Sequence, residues 1–292
     1  MNAFSIKDLE NLSGIKAHTI RIWEQRYSFL KPQRSHSNIR YYGNDELKIV
    51  LNIALLNKYG FKISLIDKMT PAEIREKIIS LSYADAQQER FINELLQHMV
   101  DLDIGSFEGT LNIYIKSKGI DKTIHHLIFP FLEKIGILWL TNHVNVAQEH
   151  LVTNVIRQKL IVGIENATAY TQGSKSALLF LPEGEHHELG LLYLYYLLKA
   201  RDIQVLYLGA NVPLKDLEFV ALLKQPDYIF THITSIPGRF NFEKFLQQIH
   251  QKLPSIPVTI SGRLAQTYFK KIPSHIILKK TMDDLIKSIN SL

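Results

Sequence analysis

Hydrophobic and polar residues follow three successive patterns along the 292-residue chain. Over residues 1–70, apolar positions recur with the spacing of short helices around a polar hairpin. Residues 71–172 keep a helical spacing throughout, which predicts a helical bundle. Residues 173–292 alternate short apolar runs with helical stretches, the pattern of parallel strands joined by helices. The chain is therefore predicted to be helical first and α/β afterwards, with these three ranges as its domains.

The first range predicts a winged helix-turn-helix. Ser5 can cap a short helix that Gly14 ends. A second helix is expected from 16 to 27, with Ile20 and Trp23 on its buried face and polar side chains on the others. A polar tip between two short segments predicts a two-stranded wing, and a third helix follows it. A polar face of the second helix can then enter a groove of a nucleic acid.

Positive charge is concentrated in the same range. Residues 1–70 contain eleven Lys and Arg against six Asp and Glu, so they carry +5 of the formal net charge of +6. A basic patch at one end of a chain is what phosphate binding predicts, because each contact releases counterions from the nucleic acid. The charge by itself also fits an ordinary solvated surface.

Residues 4 to 69 resemble the MerR family of transcription regulators. The resemblance rests on the segments 19–27, 40–42 and 59–66, together with Leu30, Pro32 and Arg34. It implies that segment 16–27 is a recognition helix for a double-stranded DNA operator, that the wing holds phosphates, and that the protein is a dimer. The candidate DNA-binding residues are Lys16, His18, Thr19, Arg21, Arg26, Arg34, Arg40 and Tyr41.

The composition excludes several kinds of chemistry. The chain has no cysteine, which excludes disulfides, thiolate metal ligands and cysteine nucleophiles and leaves 12 histidines and the carboxylates as metal ligands. No apolar stretch reaches the roughly 18 to 20 residues of a membrane span. The first ten residues lack the basic and then apolar pattern of a secretory signal. We therefore expect a cytoplasmic protein with no membrane partner.

Five apolar runs in the last range predict one doubly wound, parallel, flavodoxin-like sheet. The runs are 177–181, 203–208, 228–233, 257–260 and 276–278. Ligands of such sheets bind beyond the carboxyl ends of the strands, where the strand order switches. The loop after the first run has three Glu and two His within residues 183–188. The sequence therefore predicts a binding site in this loop.

This loop resembles the cobalamin-binding signature Asp, any residue, His, two residues, Gly. Glu185, His187 and Gly190 stand on its three fixed positions, with glutamate in place of the commoner aspartate. The resemblance implies that His187 is the lower axial ligand of cobalt and that Glu185 holds the second nitrogen of its ring. It also implies that Gly190 lets the nucleotide tail of the cofactor pass close to the backbone.

Two later marks of the same family are altered. The third strand of this domain usually ends in Ser, any residue, Leu, and the match here is only approximate, with Ser235 as the serine. The usual Gly-Gly after the fourth strand is Ser261-Gly262. These three residues are candidate cofactor contacts. Their departures from the family pattern leave two alternatives open: the tail pocket is altered, or the domain has lost cobalamin binding. His186 and His232 are interpreted as bystanders, with a contact between His232 and the tail left open.

The helical range carries a second pattern, Trp139 followed after nine residues by Glu149-His150. It resembles the helical cap of light-responsive, cobalamin-dependent MerR regulators of the CarH and LitR type. The resemblance implies that Trp139 covers the upper face of the corrin, that Glu149 contacts the adenosyl group, and that His150 can ligate cobalt once this group is lost. Taken alone, Glu149 and His150 also fit a solvated pair at the start of a helix.

Three hypotheses about function follow. In the first, the protein is a repressor that holds adenosylcobalamin in the dark, forms a dimer or tetramer on DNA, and changes oligomeric state and DNA affinity when light removes the adenosyl group. In the second, it is a MerR-type regulator whose degenerate cobalamin domain senses another ligand or a protein partner. In the third, it is a cobalamin enzyme, which is disfavoured because a DNA-reading domain and no catalytic domain accompanies the cofactor module. We expect the first, and therefore no enzymatic activity.

Overall fold

The structure, a computed structural model, describes residues 3–36, 38–140, 144–167, 175–235 and 240–292. The chain divides into two compact units, Met1–Val155 and Ile156–Leu292. The predicted domain boundary after residue 70 stays a prediction, and the one after residue 172 lies outside the described residues.

The first unit is helical, with one small antiparallel hairpin. Its elements are α1 (Ile6–Ser13), α2 (Ala17–Arg26), β1 (Gln33–Arg34), β2 (Arg40–Tyr41), α3 (Asn44–Lys58), α4 (Ile63–Ile66), α5 (Pro71–Ile79), α6 (Ala84–Val100), α7 (Ile104–Thr123), a π-helical turn (Ile124–Ile128), α8 (Phe129–Leu140) and α9 (Val146–Asn166), which continues into the second unit. The helical backbone of α7 is interrupted at Gly119, where φ is 80°.

Local capping explains where the first helices begin and end. The hydroxyl of Ser5 accepts the Asp8 amide while the Asp8 carboxylate accepts the Ser5 amide at 2.7 Å, a reciprocal cap that satisfies two amides at the start of α1. Gly14 ends this helix with φ 75°, a left-handed conformation that glycine adopts at little cost. The hairpin pairs Gln33 with Tyr41, so the predicted winged helix-turn-helix is confirmed.

The elements of the helix-turn-helix share a core with the helices that follow them. Trp23 of α2, Leu56 of α3, Ile78 of α5 and Ala86 of α6 belong to one buried apolar cluster. Two ion pairs also join α3 to the region of α6, Lys58 to Glu89 and Lys48 to Asp101, each at 2.6 Å. The predicted burial of Trp23 is confirmed, since only 4% of it is exposed.

The second unit is built on five parallel strands in the order β4-β3-β5-β6-β7. The strands are β3 (Ser176–Pro182), β4 (Gln204–Val212), β5 (Tyr228–His232), β6 (Val258–Ser261) and β7 (Ile276–Leu278), and the helices between and after them are α10 (Leu189–Lys199), α11 (Leu214–Lys224), α12 (Phe242–Lys252), α13 (Arg263–Thr267) and α14 (Met282–Asn290). The order switches between β3 and β5, so a site is expected where these two strands end. The predicted flavodoxin-like sheet is confirmed.

The core of the sheet explains why these segments become strands. Leu178, Phe180, Ile229, Val258 and Ile260 are fully or almost fully buried, because parallel strands are covered on both faces. The second strand runs four residues beyond its predicted end at 208, passing Gly209, whose φ is 79°, with a shift in its register against β3. No helix of the described ranges is long and apolar enough to cross a membrane.

Candidate functional site

A buried carboxylate organises the loop after β3. Glu185 is fully buried, and its Oε1 accepts hydrogen bonds from the amides of His186 and His187 and lies 2.6 Å from Nδ1 of His187. Its Oε2 accepts the amides of Thr234 and Ser235, both at 2.8 Å. The carboxylate therefore ties the end of β3 to the end of β5, at the switch point of the sheet.

These hydrogen bonds determine the charge of Glu185. Burial opposes ionisation, but the hydrogen bonds from His187 and the backbone outweigh it and hold the pKa of Glu185 below its usual range. An ionised carboxylate only accepts hydrogen bonds, so Nδ1 of His187 is the nitrogen that carries the proton. The ring is thereby oriented with its Nε2 edge away from Glu185. The predicted pairing of Glu185 with His187 is present, and 57% of the His187 side chain is exposed.

The tail region is arranged differently from the sequence-based interpretation. The ring of His232, the last residue of β5, lies directly against Gly190 at the start of α10, and a Cβ atom added to Gly190 would lie 2.6 Å from Nε2 of His232. Nδ1 of the same ring lies 2.9 Å from Oγ of Ser261, its register partner on β6. The ring of His232 therefore lies between two of the predicted site residues, and whether it is a bystander or contacts the tail stays a prediction.

The other two candidates of this region contribute backbone. Ser235 donates its amide to Glu185, while its residue is exposed. Gly262 has φ 92°, and a Cβ atom there would lie 2.8 Å from the carbonyl carbon of Ile233. A glycine is therefore needed at this position for the close approach of two backbones, whatever the ligand.

A second polar network holds the last residue before α10. Glu188 pairs with Arg157 of α9 at 2.7 Å and accepts a hydrogen bond from the hydroxyl of Tyr207 on β4 at 3.2 Å. Sequence reasoning missed Arg157 and Tyr207, since both lie far from the signature in the chain. The network anchors the signature loop to a helix and a strand of the same unit.

The residues predicted for the upper side lie in the first unit. Trp139 is in the last turn of α8 with 45% of its surface exposed. The helix that carries Glu149 and His150 begins with a reciprocal cap between Asn145 and Gln148, as predicted. Nε2 of His150 lies 3.4 Å from Oε2 of Glu149, and 66% of the His150 side chain is exposed. Trp139 and His150 are therefore accessible and Glu149 is partly buried, and the roles of all three stay predictions.

The predicted DNA-binding side chains lie on α2 and the wing. Lys16, His18, Arg21, Arg26 and Arg34 are exposed, and Thr19, Arg40 and Tyr41 are partly buried. Oε2 of Glu24 pairs with Nε of Arg40 at 2.9 Å, and Oε1 of Glu24 accepts a hydrogen bond from Tyr42. Burial and this carboxylate raise the pKa of Tyr42 above its usual range, so the phenol stays protonated. Sequence reasoning missed Glu24, which fixes the wing to the helix.

Comparison with protein families identifies two regions of the chain. Residues 4–73 match the MerR HTH family regulatory protein model. Residues 91–162 match the B12 binding domain model. The second match covers most of the helical range, from α6 to most of α9, and so includes the predicted upper-side residues.

Two curated relatives resemble nearly the whole chain. HTH-type transcriptional repressor CarH of Myxococcus xanthus is 26% identical over 272 residues, which cover 91% of this chain and 90% of the relative. HTH-type transcriptional repressor CarA of the same organism is 28% identical over 275 residues, covering 91% and 89%. Both relatives are transcriptional repressors, in agreement with a regulatory protein.

One solved structure has a similar fold. The monomethylamine corrinoid protein of Methanosarcina barkeri superposes with a TM-score of 0.52 at 11% identity, covering 70% of this chain and all of that protein. At this identity the likeness shows the fold alone. Together, the two family matches and the repressor relatives identify the chain as a regulator that joins a MerR helix-turn-helix region to a B12-binding domain.

Proposed function

We propose that this protein is a DNA-binding repressor that holds adenosylcobalamin in the dark and changes its oligomeric state and DNA affinity when light removes the adenosyl group. The observation that carries the proposal is the fully buried Glu185, which orients the exposed imidazole of His187 at the switch point of the sheet. Coupling requires only that the cofactor binds the assembled and dissociated states with different affinity.

The residues of the signature loop fit a corrinoid. A ligating imidazole needs one nitrogen with a lone pair and a partner for the other, and the contact with Glu185 leaves Nε2 of His187 as the ligating nitrogen. The longer glutamate also reaches the amides of Thr234 and Ser235 on the neighbouring strand end. In this proposal His187 would hold the cobalt of the corrinoid through Nε2, and Glu185 links the ends of two strands.

We assign the upper side to the helical domain. When bound, adenosylcobalamin supplies a cobalt–carbon bond that light can break. Trp139 would cover the corrin, Glu149 would contact the adenosyl group, and His150 would be the imidazole available after its loss. Trp139 and His150 are exposed, and so is the apolar Val146 with 52% of its surface; this exposure supports a surface that a ligand covers.

DNA binding is assigned to α2 and the wing. A near-palindromic operator would be read by two copies of the chain, and the dark form is proposed to be a dimer or tetramer. Arg21, Arg26 and Arg34 are exposed, which supports their assignment as DNA contacts, whereas Arg40 pairs with Glu24. The charge of residues 1–70 favours phosphate contacts.

An absorbance experiment tests the proposal. Purified protein is mixed in the dark with adenosylcobalamin, desalted, and measured before and after green illumination, with size-exclusion chromatography and operator binding measured on the same samples. Wild type should retain corrin absorbance that changes with light, and the variant His187→Ala should lose the histidine-ligated spectrum. His186→Ala is the matched control and should behave as wild type.

A second candidate function is a regulator that senses another ligand or a protein partner. The observation that favours it is the ring of His232 against Gly190, which occupies space in the predicted tail region. If wild type retains no corrin, this alternative replaces the first. Corrin retention without a light response would contradict the photoreceptor part of the proposal alone.

A further inference from the structure

Position 190 requires a glycine because of the crowded space beside it, and not because of its backbone conformation. Gly190 lies in the first turn of α10, and it is not among the described residues with positive φ, so other residues could adopt its backbone. A Cβ atom there would lie 2.6 Å from Nε2 and 2.7 Å from Cγ of His232, well inside van der Waals contact. In this structure the space beside Gly190 is taken by an imidazole.

His232 is held in that space by the sheet. It ends β5 opposite Ser261 on β6, and Nδ1 lies 2.9 Å from Oγ of this buried serine. Oγ of Ser261 is also 3.3 Å from the carbonyl of Thr231, to which it can donate while it accepts from His232. Burial lowers the pKa of His232 to about 4, so the ring is neutral at physiological pH.

A second group cannot approach Gly190 while the ring is there. Carbon atoms in contact are about 3.5 to 4 Å apart, and the ring already fills that distance. A corrinoid whose nucleotide tail runs past this glycine therefore has to displace His232 and break its hydrogen bond with Ser261. A corrinoid without this tail does not.

We propose that His232 closes the space beside Gly190 and must move before a corrinoid with a nucleotide tail can bind, so that this residue sets the selectivity between tailed and tail-less corrinoids. The inference rests on the proposed function, since it requires that the domain binds a corrinoid at His187. It concerns a residue that lies outside the signature itself, and it makes Ser261 the anchor of a closing side chain.

The test compares two corrinoids that differ in the tail. Hydroxocobalamin carries the nucleotide, and diaquocobinamide lacks it. Dissociation constants are measured by absorbance titration for wild type, His232→Ser and the control His250→Ser, an exposed histidine on α12 of the same unit. The variant His232→Ser removes the hydrogen bond and the packing that a nucleotide tail would have to displace. Its affinity for hydroxocobalamin is therefore expected to change about tenfold.

The inference predicts a change in one ligand only. His232→Ser should bind hydroxocobalamin about tenfold more tightly, while its affinity for diaquocobinamide and both affinities of His250→Ser stay at the wild-type values. Ser261→Ala, which keeps the ring and removes its anchor, should shift the ratio in the same direction by a smaller factor. This second variant decides the question if His232→Ser fails to fold.

Three results would overturn the inference in distinguishable ways. An unchanged ratio of the two dissociation constants in both variants would show that His232 does not restrict the tail. Weaker binding of hydroxocobalamin by His232→Ser would show that the ring contacts the tail favourably. If wild type binds neither corrinoid, the proposed function itself fails and the inference falls with it.

Discussion

The two predicted halves of the cofactor site differ in how far the protein itself organises them. On the lower side, Glu185 is buried with hydrogen bonds at both oxygens, and the His187 ring has one defined orientation. On the upper side, Trp139 and His150 are exposed at the ends of two helices. A buried charge must be satisfied before any ligand arrives, whereas exposed side chains gain their partners from what covers them. If the proposed function holds, the lower side is therefore organised by the protein itself, and the upper side becomes ordered by the ligand that covers it.

Replacing Glu185 should have the largest effect on this comparison. Glu185→Gln removes the charge and presents an amide group to backbone donors, so we expect a loss of about 3 kcal/mol in the free energy of unfolding without any corrinoid. Glu149→Gln on the upper side is the matched control and should change it by less than about 0.5 kcal/mol. Urea denaturation followed by circular dichroism measures both. Equal losses in the two variants would remove the distinction.

The contributions of His232 and Glu185 to the free energy of unfolding should be lost at different pH values. The pKa of His232 is lowered from 6.5 to about 4, so the unfolded chain takes up the proton first, and the contribution of this group is complete above pH 6.5 and lost as the pH falls towards 4. We expect wild type to lose about 2 kcal/mol more than His232→Ser over this interval.

The contribution of Glu185 should be lost at lower pH. Its pKa is lowered from 4.5, so it stabilises the fold above that value and loses its contribution as the pH falls below it. Urea denaturation at a series of pH values checks both windows. Parallel curves for wild type and His232→Ser between pH 6.5 and 4 would show that the pKa of His232 is not lowered by burial.

A smaller effect is expected from filling the space beside Gly190. Gly190→Ala should cost about 1 to 2 kcal/mol in the absence of corrinoid, because the added methyl group meets the ring of His232. The same change in a His232→Ser background should cost almost nothing, which gives a coupling energy of about 1 to 2 kcal/mol. Thermal and urea unfolding of the four proteins measure it.

Gly136→Ala provides the control for this cycle. Gly136 is an exposed residue of α8, and a Cβ atom there would have no neighbour within 4 Å. Alanine favours a helix over glycine by about 1 kcal/mol, so this variant should be as stable as wild type or more stable. Additive effects of Gly190→Ala and His232→Ser would contradict direct contact between the two residues.

Local features of the site could be predicted from sequence, and distant contacts could not. Glu185 and His187 are two residues apart in one loop, and Asn145 and Gln148 have the spacing of a helix cap, so short-range chemistry is enough to predict both contacts. The short apolar runs, some of them rich in β-branched residues, likewise predict the strands.

The contacts of His232 depend on the register of β5 against β6 and on how α10 packs against the end of β5. A single sequence specifies neither of them. The pair of Arg157 with Glu188 has the same origin, since it joins a helix to a loop that lies 31 residues further along the chain. The core that the helix-turn-helix shares with α6 could not be predicted either. The apolar faces of both segments predict that they are buried, but not which segment they pack against.

The smallest effect expected before illumination belongs to His150. Its side chain is mostly exposed and its only described ion pair is with the adjacent Glu149, so His150→Ala should change the free energy of unfolding by less than about 0.5 kcal/mol. With adenosylcobalamin in the dark, its absorbance spectrum should match that of wild type, because His187 and Glu185 are unchanged. The two spectra should differ only after green illumination. The wild-type spectrum should then show the change expected for a second imidazole ligand, and the variant spectrum should not. A dark spectrum altered as strongly as that of His187→Ala would mean that the upper side is organised before the ligand is cleaved, and the contrast between the two halves would not hold.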